Sequence, residues 1–128
     1  MKNIINMLMN LLSKHDTLIF VLNEGGICTS QFGYTDYTIH SIDMNIKDKN
    51  FDFFFTWISA MYNTFTNILN QKVHMITLEQ FHMLFKQNQS DLYLIISQNQ
   101  YDIIQNDEQI IMDVNNYKAQ KISSVCSL

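Results

Sequence analysis

The chain has no arginine and no proline, and only three glycines and two cysteines in 128 residues. Each scarcity excludes something. Phosphate and base-edge recognition lean on Arg, and affinity for nucleic acid needs clustered positive charge. Eight Lys against twelve Asp and Glu, net −4, supply neither, so no nucleic-acid binding is expected. Cys28 and Cys126 have no CxxC spacing and no paired His nearby, which reads as two reduced thiols in a cytoplasmic protein. There is no GxxxxGK phosphate loop and no GxGxxG turn, so the chain does not read as a nucleotide hydrolase. Long apolar runs are missing too. The opening "MKNIINMLMNLLSKHD" is broken by Asn6 and Asn10 and is followed by no small-residue cleavage site. Neither a signal peptide nor membrane insertion is expected from it.

What is present is a globular composition, 47% hydrophobic and 16% charged. It implies a single domain over residues 1–122, followed by a frayed tail at 123–128. An amphipathic helix is expected from about Lys2 to Lys14, with Ile4, Ile5, Leu8, Leu11 and Leu12 on one stripe. "TLIFVL", Thr17–Leu22, is a continuous apolar run suited to a central strand. "NEGG" then turns the chain, with Gly at positive φ followed by a bulge, into a second strand from Ile27. The stretch from Tyr34 to Met44 reads as extended, with a bulge near His40 reconciling its two parities.

A second helix, about Asn50 to Asn70, is the clearest element, with Asn50 as N-cap and Asp52 in the first turn. Trp57, Ile68, Met61, Phe54, Phe65, Ile58, Phe51, Leu69, Tyr62 and Phe55 follow one another around its wheel; with Phe53 and Ala60 included the apolar arc is roughly 200°, where one sheet needs ~100° or somewhat more. The strip from Phe54 through Ile58 to Phe65 suffices for the sheet. Phe55 and Tyr62, at the edge of the arc, are then available to a partner. The reading of "KVHMITLEQFHMLFKQ" stays open. Thr77 and Gln80 fit a capping box for a helix from Leu78, while alternation fits two strands, Val73–Leu78 and Phe81–Gln87, joined at Glu79-Gln80. "DLYLIIS" is a buried strand. Asn106-Asp-Glu-Gln109 opens a last helix with Ile110, Ile111, Val114, Tyr117 and Ile122 as its stripe; a hairpin through Tyr101–Val114 competes.

Candidate chemistry is sparse. His15, His40, His74 and His82 lack metal-ligand spacing, and His74 and His82 share a side only in one continuous helix. Cys28 has no His or Lys close in sequence to activate it. Asp107-Glu108 fits helix N-terminal charge better than a catalytic pair. No enzyme activity, no cofactor and no metal are expected. The eight Met and nine Phe suit a core and a protein-binding surface.

If the ambiguous stretch is two strands, the order is helix, two strands, helix, three strands, helix. That order resembles the roadblock family, named from a dynein light chain, and shares its architecture with profilin-like and longin domains. "DTLIFVLNEGGICTSQFG" looks like its first hairpin, "FDFFFTWISAMYNTFTNIL" like its central helix, and "VHMITLEQFHMLFKQNQSDLYLIISQN" like its three-strand meander. The resemblance implies an α+β fold, an antiparallel five-stranded sheet with helices packed on it, in the order α-β-β-α-β-β-β-α. It implies a non-enzymatic scaffold that pairs through the central helix and the neighbouring edge strand. Phe51, Phe55, Tyr62, Val73 and Met75 would lie at that contact, in a homo- or heterodimer serving a dynein-type motor or a small-GTPase platform. A PAS-like ligand sensor, or a small mobile-element protein that inhibits a host protein, are the alternative expectations.

Overall fold

A computed structural model of the chain describes the backbone of residues 2–42 and 49–126, and the side chains of residues 4–42, 49–99 and 107–121. The elements are α1 (Lys2–Leu12), β1 (Thr17–Leu22), β2 (Cys28–Thr35), β3 (Thr38–Ser41), α2 (Lys49–Asn63), β4 (Met75–Thr77), β5 (His82–Asn88), β6 (Asp91–Ser97) and α3 (Gln100–Cys126); a π-helical turn, Thr64–Ile68, extends α2. The strands form one antiparallel sheet in the order β3-β2-β1-β6-β5-β4. The α+β class and the antiparallel sheet are as expected, but the strands number six and not five.

The sixth strand comes from the segment read as one extended run with a bulge near His40. The chain reverses at Asp36-Tyr37, and β3 folds back on β2 with Thr35 opposite Thr38. Both turn residues have positive φ, 48° and 62°, the geometry that right-twisted hairpins favour. Gly or Asn would have signalled it; Asp and Tyr do not. Asp16 holds the turn by accepting the Asp36 amide on its carboxylate at 3.1 Å. Met44 lies outside the described residues.

The central strands β1 and β6 are covered on both faces. From β1, Leu18, Phe20 and Leu22 point to the side of α1 and α2, and Ile19 and Val21 to the side of α3. β6 alternates likewise, with Leu92, Leu94 and Ile96 on the first side and Tyr93 and Ile95 on the second. A strand buried on both faces needs apolar residues at every position, which accounts for the unbroken runs "TLIFVL" and "DLYLII". Full burial of each such side chain contributes about 1.5–3 kcal/mol.

The first hairpin turns as its sequence implies. Gly26 has φ +78°, the Asn23 side chain accepts the amides of Gly25 and Ile27, and the β1–β2 register shifts after Val21. A Cβ on Gly26 would press on Thr56 and Ser59 of α2, so this turn packs closely under that helix. The ambiguous stretch resolves as strands. β4 pairs with β5 around a turn closed by the Leu78 amide on the Phe81 carbonyl, which overturns the helix from Leu78. The last element is a helix and not a hairpin. It starts at Gln100, before the expected Asn106 cap, and its backbone runs to Cys126, into the stretch expected as a tail.

Candidate functional site

The expected interface divides in two. Phe51 and Phe55 are fully buried and Tyr62 is 8% exposed, all three inside the core between α2 and the sheet. The Phe55 ring lies 5.0 Å from Phe20 and 5.7 Å from Phe51, and Tyr62 stacks on Phe85 at 6.0 Å. These residues hold the helix down and are not available to a partner. Val73 and Met75 are half-buried beside the sheet edge. The helix is thus rotated about its axis from the expected phase. The sheet-facing strip is Phe51, Phe55, Ile58, Ser59 and Tyr62, whereas Phe54 is half-buried and Phe65 is on the rim.

Turning the helix this way puts a second apolar strip outside. Phe53 is 63% exposed, Trp57 56%, Ile68 74%, Leu69 53% and Phe65 37%. Phe53, Trp57, Ala60, Thr64 and Ile68 follow at helical spacing along one outward line. From Phe53 to Gln71 the chain carries no charged residue. Solvated helix faces are normally polar, and a contiguous apolar face marks an interaction site. The π-helical turn lies within it. There Thr64 Oγ1 donates to the Ala60 carbonyl at 2.8 Å, and the buried Thr66 hydroxyl makes no hydrogen bond. At the C-terminal end of this face the chain enters β4, the edge strand of the sheet, which pairs only with β5.

The remaining candidates are dispersed. Cys28 is half-buried at the start of β2 and donates to the Ser30 carbonyl at 3.4 Å. Burial pushes its thiol up from 9.0 to about 11, the reverse of an activated nucleophile. His74 precedes β4, while His82 opens β5 and shares a hydrogen bond with Thr77, so the two are not on one helix face. Asp107 pairs with Lys86 at 3.1 Å and lies inside α3, not at its N-terminus. A hollow of about 270 Å³ beside the Asp36-Tyr37 turn is lined by Asp16, Tyr34, Tyr37 and Gln109; the Tyr34 hydroxyl donates to Asp113 of α3. Two threonine hydroxyls lie within hydrogen-bond reach of an imidazole, Thr77 of His82 at 3.0 Å and Thr35 of His15 at 3.2 Å, whereas the hydrogen bonds of Cys28 go to Ser30 and Gln31. Among the described residues no helix is long and apolar enough to cross a membrane.

No family model matches the sequence, and no curated protein matches it.

Proposed function

We propose that this chain is a non-enzymatic dimerising scaffold, roadblock-like in kind, that pairs with a second copy of itself through the outward face of α2. In that role it serves as an adaptor within a larger assembly, a dynein-type motor complex or a small-GTPase regulatory platform, as the resemblance implies. One observation carries the reading: the uncharged strip of Phe53, Trp57, Ile68 and Leu69 that the chain's own fold leaves uncovered. Charge depletion and aromatic enrichment are what the centre of an interface shows.

The order of sizes along the strip favours a second copy. Bulky Phe53 and Trp57 stand at one end, Ala60 and Thr64 in the middle, and Ile68 at the other. Two such helices run antiparallel about Ala60-Met61 would set Trp57 of one protomer against Thr64 of its partner, and Phe53 against Ile68. Large then meets small and apolar meets apolar, in the self-complementary manner a two-fold interface requires. The exposed side chains offer roughly 600 Å² per protomer, hence about 1,200 Å² for the pair, which reaches the size of a specific interface.

A PAS-like sensor would need a cavity of some hundreds of Å³ beneath α2. Phe20, Phe51, Phe55 and Ile58 fill that space, which argues for the scaffold. The test is mass in solution by light scattering over a wide concentration range. The wild type is expected at twice the chain mass and Trp57→Asp at the chain mass, with unchanged far-UV dichroism. A wild type that stays monomeric throughout overturns self-pairing. Binding of a different protein by that monomer, abolished by Trp57→Asp, would turn the reading to a heterodimer or to the inhibitor alternative.

A further inference from the structure

His15 and His40 are far apart in sequence, yet the fold brings their rings to one place at the opposite edge of the sheet from β4. His15 sits in the joint between α1 and β1. His40 lies on the edge strand β3, opposite Gly33 of β2. Gly33 makes room for the His15 imidazole, since a Cβ there would run into the ring. The two ring centroids are 6.3 Å apart, tilted by 44°.

A hydrogen-bond partner stands beside one of the two ring nitrogens of His15. Thr35 Oγ1 donates to the Lys14 carbonyl at 3.4 Å and lies 3.2 Å from His15 Nδ1. A hydroxyl has one proton to give. In the tautomer in which that proton goes to Lys14, Thr35 accepts from Nδ1–H and Nε2 keeps its lone pair. A histidine that ligates a metal through one nitrogen almost always donates its other ring N–H to such an acceptor.

We propose that His15 and His40 together bind one divalent late transition-metal ion, copper or zinc, which fastens the β3 edge to the α1–β1 joint. Zn–N bonds of 2.0–2.1 Å place two imidazole centroids on a shared ion about 5–6 Å apart, so a small rotation of the exposed His40 side chain closes the pair. Among the described residues no group of three or more His, Cys, Asp and Glu side chains could hold a metal. The pair would supply two nitrogens to the ion, and water would complete its shell. Two-point binding by imidazole follows the general order of affinities, with Cu²⁺ above Zn²⁺. This site is independent of the α2 surface and of dimerisation.

The experiment is calorimetric titration of the full chain with Cu²⁺ and with Zn²⁺ in a buffer that does not chelate, paired with nitrogen chemical shifts of the imidazoles. One ion per chain is expected, Cu²⁺ tighter than Zn²⁺, with the His15 Nε2 resonance moving and its Nδ1 still protonated. His40→Ala should weaken binding at least tenfold, and Thr35→Val, which removes only the positioning hydroxyl, by about tenfold. His74→Ala and His82→Ala should bind as the wild type does. His40 is exposed on an edge strand, so its loss is tested in a folded chain, which dichroism verifies. Absence of saturable binding, or binding that survives His40→Ala, overturns the proposal.

Discussion

Helices α2 and α3 cover opposite faces of the same sheet, yet they end differently on the solvent side. Over its described side chains, residues 107–121, α3 is polar on its outer face apart from Met112, which is 56% exposed. Ile110 and Val114 are buried against the sheet, Ile111 and Tyr117 are half-buried beside them, and Glu108, Gln109, Asn115, Asn116 and Gln120 face water. Polar ties fix it further: Tyr93 hydroxyl to Asn115 at 3.1 Å, and Lys86 to Asp107 at 3.1 Å. α2 buries one strip just as well but carries a second apolar strip outward. The difference separates what a fold needs from what it leaves over. Both helices bury one strip in the core, and among the described residues the second, outward apolar strip belongs to α2. An exposed side chain of Phe or Ile size forgoes about 1.5–3 kcal/mol of burial, so a second surface is the natural place for it.

The comparison is broken most severely from inside. Phe55→Ala should lower unfolding stability by about 3–5 kcal/mol, because it empties space between Phe20, Phe51 and Phe54 that a rigid sheet cannot close. The shift in urea midpoint at constant slope measures it. A loss under 1 kcal/mol would mean that the core relaxes freely beneath α2 and that the two strips are not distinct in kind.

From outside, the double change Phe53→Ser with Trp57→Ser should do the opposite. Dimer dissociation should become easier by about 2 kcal/mol or more for the central aromatic, while the monomer's urea midpoint stays within about 0.5 kcal/mol of its starting value. Sedimentation equilibrium and urea unfolding below the dissociation concentration give the two numbers. A stability loss with no change in association would make the outer strip part of the monomer's own packing.

The same helix shows where the sequence could be read and where it could not. The width of its apolar arc was legible, since periodicity needs only residue type. The rotation about its axis was not. With ten large apolar residues around the wheel, the arc centre misplaced the core strip towards Phe54 and Phe65, and put Phe51, Phe55 and Tyr62 on the contact. What sets the rotation is tertiary: the Gly26 turn against Thr56 and Ser59, and the seats of Phe55 on Phe20 and Tyr62 on Phe85. The central strands were legible for the converse reason, because burial on both faces leaves no phase to choose. The His15–His40 proximity carried no local signal at all, since it depends on the β2–β3 hairpin, whose turn has neither Gly nor Asn.

At Cys28 the comparison sharpens through pH. Its thiol is pushed from 9.0 to about 11 in the folded chain by burial under the first hairpin, near Asp52 of α2. The native state holds this proton longer than the unfolded chain does. Its contribution is therefore complete below pH 9 and is lost as the pH rises from there through about 11. Cys28→Ala should flatten that alkaline decline in urea midpoint. Thiol labelling at pH 8 should be slower than for an unfolded control. Labelling at the rate of the unfolded control would show that the hairpin does not stay closed on α2.

The smallest effect is expected at the turn that hid the sixth strand. Tyr37 has φ +62° and is almost wholly exposed, so its ring contributes little packing while its Cβ bears the cost of the left-handed region. Asp36, at φ 48°, is steadied by the hydrogen bond that its backbone N–H donates to the Asp16 carboxylate. Tyr37→Gly removes the strain at one residue and leaves that bond in place. Gly also loses more freedom on folding, which offsets part of the gain. The net outcome should be a stabilisation of up to about 1 kcal/mol, read as a raised urea midpoint. Tyr37→Val, a β-branched residue that resists positive φ, should move the midpoint down by a similar amount. The two substitutions bracket the native residue. If both lower the stability, the Tyr37 ring is held by a contact at the hollow it lines with Asp16 and Gln109, and the turn is kept for that contact and not merely tolerated.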